Sequence, residues 1–280
     1  MKLISYTIAG DASFGVVVGE GVYDLKQRLG GRYADLRSAI TAGALQGLVA
    51  PGGAPDHRLD AVTLLPPIPN PDKIICIGLN YRAHAAEGGF DIPVFPSLFS
   101  RLTNTLVASG APMLRPHQSG DFDYEGELAI VIGRGGRRIA RAQALSHVFG
   151  YACFNDGSIR DVQFKHSVTA GKNFPLTGGF GPWIATADEI PDPSKLTLTT
   201  RVNGREVQHR GIDDMIFDVP AIIEYVSSFT PLLPGDVIAT GTPEGVGFAR
   251  KPPLWLRPGD TVEIDISGVG VLRNPIQMEP

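Results

Sequence analysis

Glycine and proline place the strongest limit on what this chain can fold into. Together they make up more than a fifth of the 280 residues, with 34 glycines and 23 prolines distributed without a repeat or a low-complexity tract. Proline interrupts helices and central strands, and glycine permits tight turns that other residues rarely make. This composition argues against a helical bundle and predicts many short strands joined by shaped loops. We therefore expect an α+β fold that is mainly β.

The first part of the chain has the pattern of a small unit. Residues 3–8 and 14–18 alternate in polarity as strands do, and a Gly-Glu-Gly turn leads from them into a third strand. Residues 34–42 have the apolar spacing of a helix. These elements predict a compact α+β unit.

A proline-dense connector follows this unit. Four prolines fall between residues 66 and 71, which predicts a stiff and extended segment. We therefore divide the chain into a small N-terminal domain at 1–65 and a larger catalytic domain at 66–280.

The larger part has the pattern of short strands with two helices. Apolar runs predict strands at 73–78, 128–133, 237–239 and 262–266. One helix is expected to begin near Ser158. The other has Asp218 as its N-cap and Pro220 in its first turn.

Composition excludes several classes of protein. The net charge is −4 without a basic cluster, which argues against nucleic acid as a partner. No apolar run approaches the ~18 residues of a membrane helix, and no signal-peptide core is present. Cys76 and Cys153 lie in apolar runs and are interpreted as core residues, not as a disulfide. A cytoplasmic protein without membrane contact is the expectation.

Three carboxylates carry most of the functional information. Glu125 and Glu127 flank a glycine and lead into an apolar strand, so their side chains point to the same face. Asp156 follows a second apolar run. Two ionised carboxylates that enter a core side by side need a cation, and oxygen donors favour Mg²⁺ or Mn²⁺ over zinc. The alternative is an exposed strand face that happens to carry two glutamates.

His84 and Glu87 form a second candidate pair. They lie three residues apart in an alanine-rich segment, so in a helix they are neighbours on one face. A carboxylate beside an imidazole fixes its orientation, as in a general base that activates water. The following glycine pair, residues 88–89, suits a lid. The alternative is an ordinary pair on a surface helix.

Cations and a glycine-rich loop complete the set. Arg160, Gln163 and Lys172 follow Asp156. The positive charge of the arginine and the lysine would offset the negative charge of the carboxylates and attract an anionic substrate. A surface lysine, or an arginine paired with Asp161, is the alternative. In residues 239–247 the glycines allow backbone amides to approach a carboxylate, although a plain tight turn has the same pattern.

Taken together, these segments resemble the fumarylacetoacetate hydrolase family over about residues 71–276. The resemblance is carried by 77–81 with His84 and Glu87, by 123–128, by 155–156 with 160–163, by 171–174, by 181–183 and by 240–247. It implies a β-roll of short mixed sheets with few helices, preceded by a small N-terminal α+β domain. It also implies a homodimer that acts on a small 2-oxo or β-diketo acid.

The resemblance implies a role for individual residues. Glu125, Glu127 and Asp156 would bind one Mg²⁺ or Mn²⁺ ion per chain, and His84 with Glu87 would be a catalytic dyad on a lid that orders with ligand. Lys172 would anchor the substrate as a third catalytic residue. The predicted substrate contacts are Tyr81, Arg101, Arg160, Gln163 and Thr240.

The sequence departs from the family at two positions near this set. Where the family commonly has phenylalanine-leucine-lysine-proline, residues 99–102 read Phe-Ser-Arg-Leu, so Arg101 would offer a planar fork in place of a point charge. Ile159 is bulkier than the usual alanine. It would narrow the substrate pocket or fill the core.

The function predicted first is hydrolysis of a C–C bond in an acylpyruvate or related β-diketo acid, with a water activated by His84 and Glu87. The alternative on the same metal site is decarboxylation of oxaloacetate, isomerisation, or hydration of an unsaturated 2-oxo acid. A non-catalytic homologue that binds metal or ligand is an alternative of another class.

Overall fold

A computed structural model describes residues 1–47 and 51–280. The strands are β1 Lys2–Ile8, β2 Asp11–Val18, β3 Gly21–Asp24, β4 His57–Arg58, β5 Thr63–Leu64, β6 Ile74–Gly78, β7 Ser97–Arg101, β8 Leu106–Ala108, β9 Met113–Arg115, β10 Phe122–Asp123, β11 Gly126–Ile132, β12 Val148–Asp156, β13 Ser158–Ile159, β14 Gly178–Thr186, β15 Thr197–Val202, β16 Arg205–Gly211, β17 Val237–Ala239, β18 Thr261–Ile266 and β19 Gly270–Met278. The helices are α1 Leu25–Arg28, α2 Leu36–Thr41, α3 Arg82–Glu87, α4 Arg160–Lys165, α5 Val168–Lys172 and α6 Val219–Phe229. The expectation of a mainly β fold with few helices is confirmed.

A large mixed sheet forms the centre of the molecule. Ten of its strands follow the order β4-β3-β2-β1-β14-β12-β11-β17-β6-β7, while β5 and β8 join at β1 and β14. Every residue of β11 is buried, which explains its uninterrupted apolar run. Because β11 and β12 pair along most of their length, the residues at the start of β11 and at the end of β12 lie side by side.

The N-terminal strands belong to this same sheet. Lys2 and Leu3 of β1 pair with Ala185 and Ile184 of β14, so β1 to β4 extend the central sheet at one side. The predicted strands at 3–8 and 14–18 are present, as is the short helix α2. The domain boundary near residue 65 stays a prediction.

A second sheet covers one face of the first. Its five strands have the order β16-β15-β18-β19-β9. Apolar side chains of β15 and β18, such as Leu198 and Ile264, pack with Leu128 and Ile130 of β11 in one buried cluster. Burial of this apolar surface is the main stabilising contribution to the sandwich.

The two predicted helices of the larger part are present with one adjustment. The Asp218 side chain accepts a hydrogen bond from the Ala221 backbone and caps α6, and Pro220 lies in its first turn. Near Ser158 the chain first forms the short strand β13 and only then enters α4 at Arg160. In the part of the chain that the structure describes, no helix has the length and apolar character needed to cross a bilayer.

The two sheets approach each other closely at Gly126. A Cβ built there would lie 2.2 Å from Thr200 Oγ1 and 3.1 Å from the Ile264 side chain. No side chain larger than hydrogen fits between Glu125 and Glu127 without moving the second sheet.

We therefore predict that Gly126→Ala lowers the free energy of unfolding by about 1–3 kcal/mol, as overpacked cores do. Urea unfolding measures the loss. Gly52→Ala is the matched control, because a Cβ at Gly52 meets nothing within 4 Å. Equal stability of the two variants would contradict the close packing at Gly126.

Candidate active site

Three buried carboxylates meet where β11 begins and β12 ends. Glu125 precedes β11, Glu127 is its second residue and Asp156 is the last residue of β12. They are 6%, 1% and 0% exposed, and one oxygen atom of each lies within 4.8 Å of the other two. The alternative of an exposed strand face is therefore wrong.

Lys172 places a cation inside this group. Its Nζ donates to Glu125 Oε2 at 2.5 Å and to Asp156 Oδ2 at 2.6 Å. The residue ends α5 and is 2% exposed, so it is not a surface lysine. Burial opposes its charge, but the carboxylates of Asp156 and Glu125 outweigh burial and raise the pKa of Lys172. The side chain is therefore a buried ammonium ion.

Arg160 joins the same network from α4. Its Nε donates to Asp123 Oδ2 at 2.8 Å, and another guanidinium nitrogen lies 2.6 Å from Glu125 Oε1. The third donates to Gln163 Oε1 at 3.0 Å. Arg160 therefore does not pair with Asp161, whose carboxylate accepts a hydrogen bond from a serine.

The glycine-rich loop at 240–247 holds carboxylates with its backbone. Three of its N–H groups each donate to a different acidic side chain. The pairs are Gly241 with Glu127, Gly245 with Glu87 and Gly247 with Asp123, at nitrogen–oxygen distances of 2.9, 2.9 and 2.7 Å. Gly241 and Gly245 both have φ of +98°, a conformation that favours glycine. The predicted approach of backbone amides to carboxylates is therefore present, and these carboxylates are side chains of the protein itself.

Buried acidic groups outnumber buried cations at this site. Four carboxylates face three positive charges. The acids are Asp123, Glu125, Glu127 and Asp156, and the cations are Arg101, Arg160 and Lys172. With all seven ionised, four negative and three positive charges leave −1, and a bound dication would change this to +1. The site would then attract an anionic substrate.

The two glutamates differ in how well the protein stabilises their charge. Burial raises the pKa of Glu127, and the nearby carboxylates of Asp156 and Glu125 raise it further. Burial also acts on Glu125, but Lys172 and Arg160 outweigh it and hold the pKa of Glu125 below its usual range. Glu127 is therefore the carboxylate that gains most from an added cation.

The donor set fits a hard divalent ion. Mg²⁺ and Mn²⁺ prefer carboxylate oxygens, and the three acids offer oxygens only. Within residues 1–47 and 51–280, no other group of three or more His, Cys, Asp or Glu side chains has such spacing. The contacts of Lys172 with two of the three acids also show that the group is built to receive positive charge.

His84 and Glu87 form a hydrogen-bonded pair on α3. His84 Nδ1 lies 2.8 Å from Glu87 Oε1, so the predicted contact between these residues is present. Because a carboxylate only accepts hydrogen bonds, Nδ1 carries the proton and Nε2 is left as an acceptor. The imidazole is 7% exposed, so this is not a pair on a surface helix.

A cavity of about 210 Å³ opens onto both groups. Its polar lining consists of His84, Ser97, Glu125, Glu127, Arg160, Gln163, Lys172 and Thr242. Its apolar wall includes Phe90, Phe99, Phe164, Val168 and Phe248. Phe248 covers the guanidinium of Arg160, with 4.6 Å from Cζ to the ring centroid. The cavity lining thus combines charged groups with aromatic rings.

Three predicted substrate contacts do not line this cavity. Thr240 is fully buried and its hydroxyl donates to the Leu128 carbonyl at 2.9 Å. Tyr81 lies at the start of α3 and faces a separate cavity, and its buried hydroxyl has no hydrogen-bond partner. Arg101 contacts Asp156 Oδ1 with its guanidinium. The geometry argues against direct substrate contact for these residues because none of them lines the cavity.

Asp123 is a functional candidate that the sequence did not single out. It is fully buried and accepts hydrogen bonds from Arg160, from Gly247 and from the Phe248 backbone. Burial raises its pKa, and Arg160 opposes that effect. Its place at the head of the 123–128 motif was the available signal. Asp123 ties the cation of α4 to the glycine-rich loop.

Comparison with known proteins identifies relatives along most of the chain. The family model "Fumarylacetoacetate (FAA) hydrolase C-terminal" matches residues 73–277. The oxaloacetate tautomerase YisK of Bacillus subtilis is 44% identical over 226 residues, which cover 79% of this chain and 75% of that protein.

Solved structures share the whole fold. A fumarylacetoacetate hydrolase from Exiguobacterium antarcticum is 36% identical and superimposes with a TM-score of 0.86 over the full length of both chains. A maleylpyruvate hydrolase from Sphingobium sp. SYK-6, solved with a manganese(II) ion and pyruvate, is 30% identical with a TM-score of 0.80, again over both full lengths.

We predict that Glu127→Gln weakens Mn²⁺ binding at least tenfold, because it removes a charged oxygen ligand from the acidic group. Titration of free Mn²⁺ followed by electron paramagnetic resonance measures the affinity and the expected single site per chain. Glu20→Gln is the control, since the Glu20 side chain is 85% exposed. Unchanged Mn²⁺ affinity in Glu127→Gln would contradict the assignment of the metal ligands.

Proposed function

This chain belongs to the fumarylacetoacetate hydrolase family, and we propose that it interconverts the keto and enol forms of oxaloacetate or a similarly short 2-oxo dicarboxylic acid with the help of Mg²⁺ or Mn²⁺. The observation that carries the proposal is one cavity lined by Glu125, Glu127 and His84. Asp156 completes the buried acidic group beside it, and Glu87 holds His84. The similarity to an oxaloacetate tautomerase supports this reaction over the others of the family.

The size of the cavity favours a short substrate. Its volume of about 210 Å³ is below the roughly 300–1,000 Å³ typical of pockets for drug-sized ligands. Phe90, Phe99, Phe164 and Phe248 line it as well and leave little room for a long acyl chain. A four-carbon dicarboxylic acid is compact enough for this space.

Positive charge is concentrated where the substrate anion would lie. Glu125, Glu127 and Asp156 would hold the metal ion, which when bound stabilises negative charge that develops on the oxygens of a 2-oxo acid. Lys172 and Arg160 contact the same carboxylates and add their own charge beside the cavity. They would attract a carboxylate group of the substrate.

His84 is placed to move the proton. With Nδ1–H held by Glu87, its Nε2 accepts a proton from C3 of the keto form or returns one to C3 of the enol. When C3 loses its proton to His84, the electron pair of the C–H bond forms the C2–C3 double bond, and the oxygen on C2 takes up the negative charge. That oxygen then takes up a proton, and His84 releases the proton it gained, so that the number of protons is unchanged. The reaction consumes no water and breaks no C–C bond.

Hydrolysis of an acylpyruvate is the second candidate. It is favoured by the related maleylpyruvate hydrolase that was solved with manganese and pyruvate. In this reaction His84 takes a proton from water, the hydroxide adds to the distal carbonyl, and cleavage of the C–C bond releases pyruvate and a carboxylic acid. This is the reaction that the sequence predicts first, and it stays a prediction.

The remaining alternatives use the same groups. Decarboxylation of oxaloacetate and hydration of an unsaturated 2-oxo acid would use the same metal site and differ in their products. A non-catalytic role would use it to bind a ligand and give no product. A homodimer and a cytoplasmic location also stay predictions.

We predict that the enzyme accelerates the loss of ultraviolet enol absorbance when enol-oxaloacetate is added to buffer with Mg²⁺ or Mn²⁺. Malate dehydrogenase with NADH in a parallel sample reports the keto product. Treatment with EDTA should return the rate to the uncatalysed level, and added metal ion should restore it, because negative charge on the substrate oxygen needs the dication.

Three other results of this assay would each support an alternative. Pyruvate and a carboxylic acid from a panel of acylpyruvates, with oxaloacetate untouched, would establish hydrolysis instead. Pyruvate and carbon dioxide from oxaloacetate would indicate a decarboxylase. No turnover of either substrate by the Mn²⁺-bound protein would argue for a non-catalytic role.

We predict that His84→Asn lowers kcat by about 10²–10⁴, the usual contribution of a general acid or base. Glu87→Gln should lower kcat less. Glu87 accepts hydrogen bonds from His84 and Gly245, and the one oxygen of glutamine can still accept one of the two. Since Glu87 acts through His84, the double variant should be no slower than His84→Asn. Stopped-flow measurement of the enol decay gives the rates.

A second His–Glu pair provides the control. His209 and Glu206 are also three residues apart but are 58% and 57% exposed. His209→Asn and Glu206→Gln should leave kcat unchanged. An equal loss in both sets of variants, or additive losses in the His84 and Glu87 double variant, would contradict the dyad.

A further inference from the structure

Arg101 is a buried cation that is held from several sides. It is the last residue of β7, and its side chain is 0% exposed. One terminal nitrogen donates to Asp156 Oδ1 at 2.5 Å and to the Gly157 carbonyl at 3.0 Å. The other donates to Thr177 Oγ1 at 2.8 Å, and Nε donates to Thr105 Oγ1 at 3.2 Å. Four of its five N–H groups therefore bind other parts of the protein, and Arg101 does not line the cavity.

Arg101 and Lys172 hold Asp156 from its two oxygens. Oδ1 faces Arg101 and Oδ2 faces Lys172, so the carboxylate cannot rotate without losing a charge-assisted hydrogen bond. Lys172 lines the cavity and Arg101 does not. Arg101 therefore holds Oδ1 of Asp156, while Oδ2 shares the Lys172 ammonium with Glu125.

The neighbouring strand provides a seat for the guanidinium. Gly178 of β14 pairs directly with Asp156, and a Cβ at Gly178 would lie 3.0 Å from two nitrogens of Arg101 and 3.1 Å from its Cζ. The planar group thus lies flat against a strand position that has no side chain. The seat fixes the distance between the guanidinium and Asp156.

The chemistry of arginine suits this position. Its rigid fork donates to several acceptors in one plane, whereas a lysine ammonium has three donors at one point and a flexible stem. Here the acceptors are the Asp156 carboxylate, a carbonyl and two threonine hydroxyls, set around one guanidinium. A lysine would reach only part of this set.

We propose that Arg101 is a positioning residue for the metal site, which fixes Asp156 as an ion ligand and has no contact with substrate. The proposal rests on the proposed function in one respect, the assignment of Glu125, Glu127 and Asp156 as metal ligands. It replaces the expectation that the fork of Arg101 binds the substrate.

The test is the Mn²⁺ affinity of four variants, measured by electron paramagnetic resonance without substrate. Arg101→Met should weaken binding about 10–100-fold, as loss of a group that orients a metal ligand does. Arg101→Lys should recover part of this loss. Thr177→Val and Gly178→Ala should weaken binding less, because they disturb the guanidinium while its charge remains.

A matched control separates this effect from general loss of an ion pair. Arg201 pairs with Asp265 at 3.1 Å in the second sheet, away from the cavity. Arg201→Met should leave the affinity for Mn²⁺ unchanged. If Arg101→Met does not fold, Thr177→Val and Gly178→Ala carry the test, and thermal unfolding identifies that case.

A second readout distinguishes positioning from substrate contact. At saturating Mn²⁺ the KM for oxaloacetate in Arg101→Lys should stay within about twofold of the wild-type value. The reason is that residue 101 does not contact the substrate, so the substitution removes no substrate-binding interaction. A raised KM with unchanged Mn²⁺ affinity would overturn the proposal. Normal Mn²⁺ binding in Glu127→Gln would instead refute the metal site itself, so the two failures are distinguishable.

Discussion

The site depends on keeping four acidic side chains charged inside the protein. A buried carboxylate without a partner takes up a proton or destabilises the fold by several kcal/mol. The chain avoids this with three buried cations and with the backbone N–H groups of Gly241 and Gly247, which donate to Glu127 and Asp123. The protein's own cations stabilise the charge of Glu125 more than that of Glu127, since the pKa of Glu125 is lowered and the pKa of Glu127 is raised. That difference is the physical reason to expect an external cation at Glu127.

This charge balance links distant parts of the chain. Asp156 comes from β12, Lys172 from α5 and Arg101 from β7, and the glycine-rich loop follows β17. Each partner must arrive at hydrogen-bond distance, so strand register and site geometry are set together. The absence of a side chain at Gly126 and Gly178 has the same origin, because a neighbouring strand or guanidinium occupies the space. Stability and metal binding are therefore properties of one network.

Local patterns made part of this architecture predictable. The spacing of Glu125 and Glu127 on an apolar strand indicated a shared buried face, and the helix with Asp218 as its cap lies where expected. Pairing between β1 and β14 joins residues more than 180 positions apart, and no local pattern encodes it. For side chains, Arg101 illustrates what the sequence does not give. The sequence shows that Arg101 lies near the motifs. It does not show which oxygen of Asp156 the guanidinium contacts, because that depends on how the fold places Arg101 against Gly178.

The two candidate reactions need the same charges and differ in what must reach His84. Tautomerisation requires only C3 of the substrate within reach of Nε2, whereas hydrolysis requires a water molecule and space for a distal carbonyl. The cavity wall carries aromatic rings, with Phe164 set edge-on to Phe248 at 5.3 Å between centroids. Phe248 in turn covers Arg160, so widening this wall would expose a cation that now contacts Glu125. Room for a longer acyl chain would therefore disturb the charge balance of the site, and this coupling favours the reaction that needs no long acyl chain.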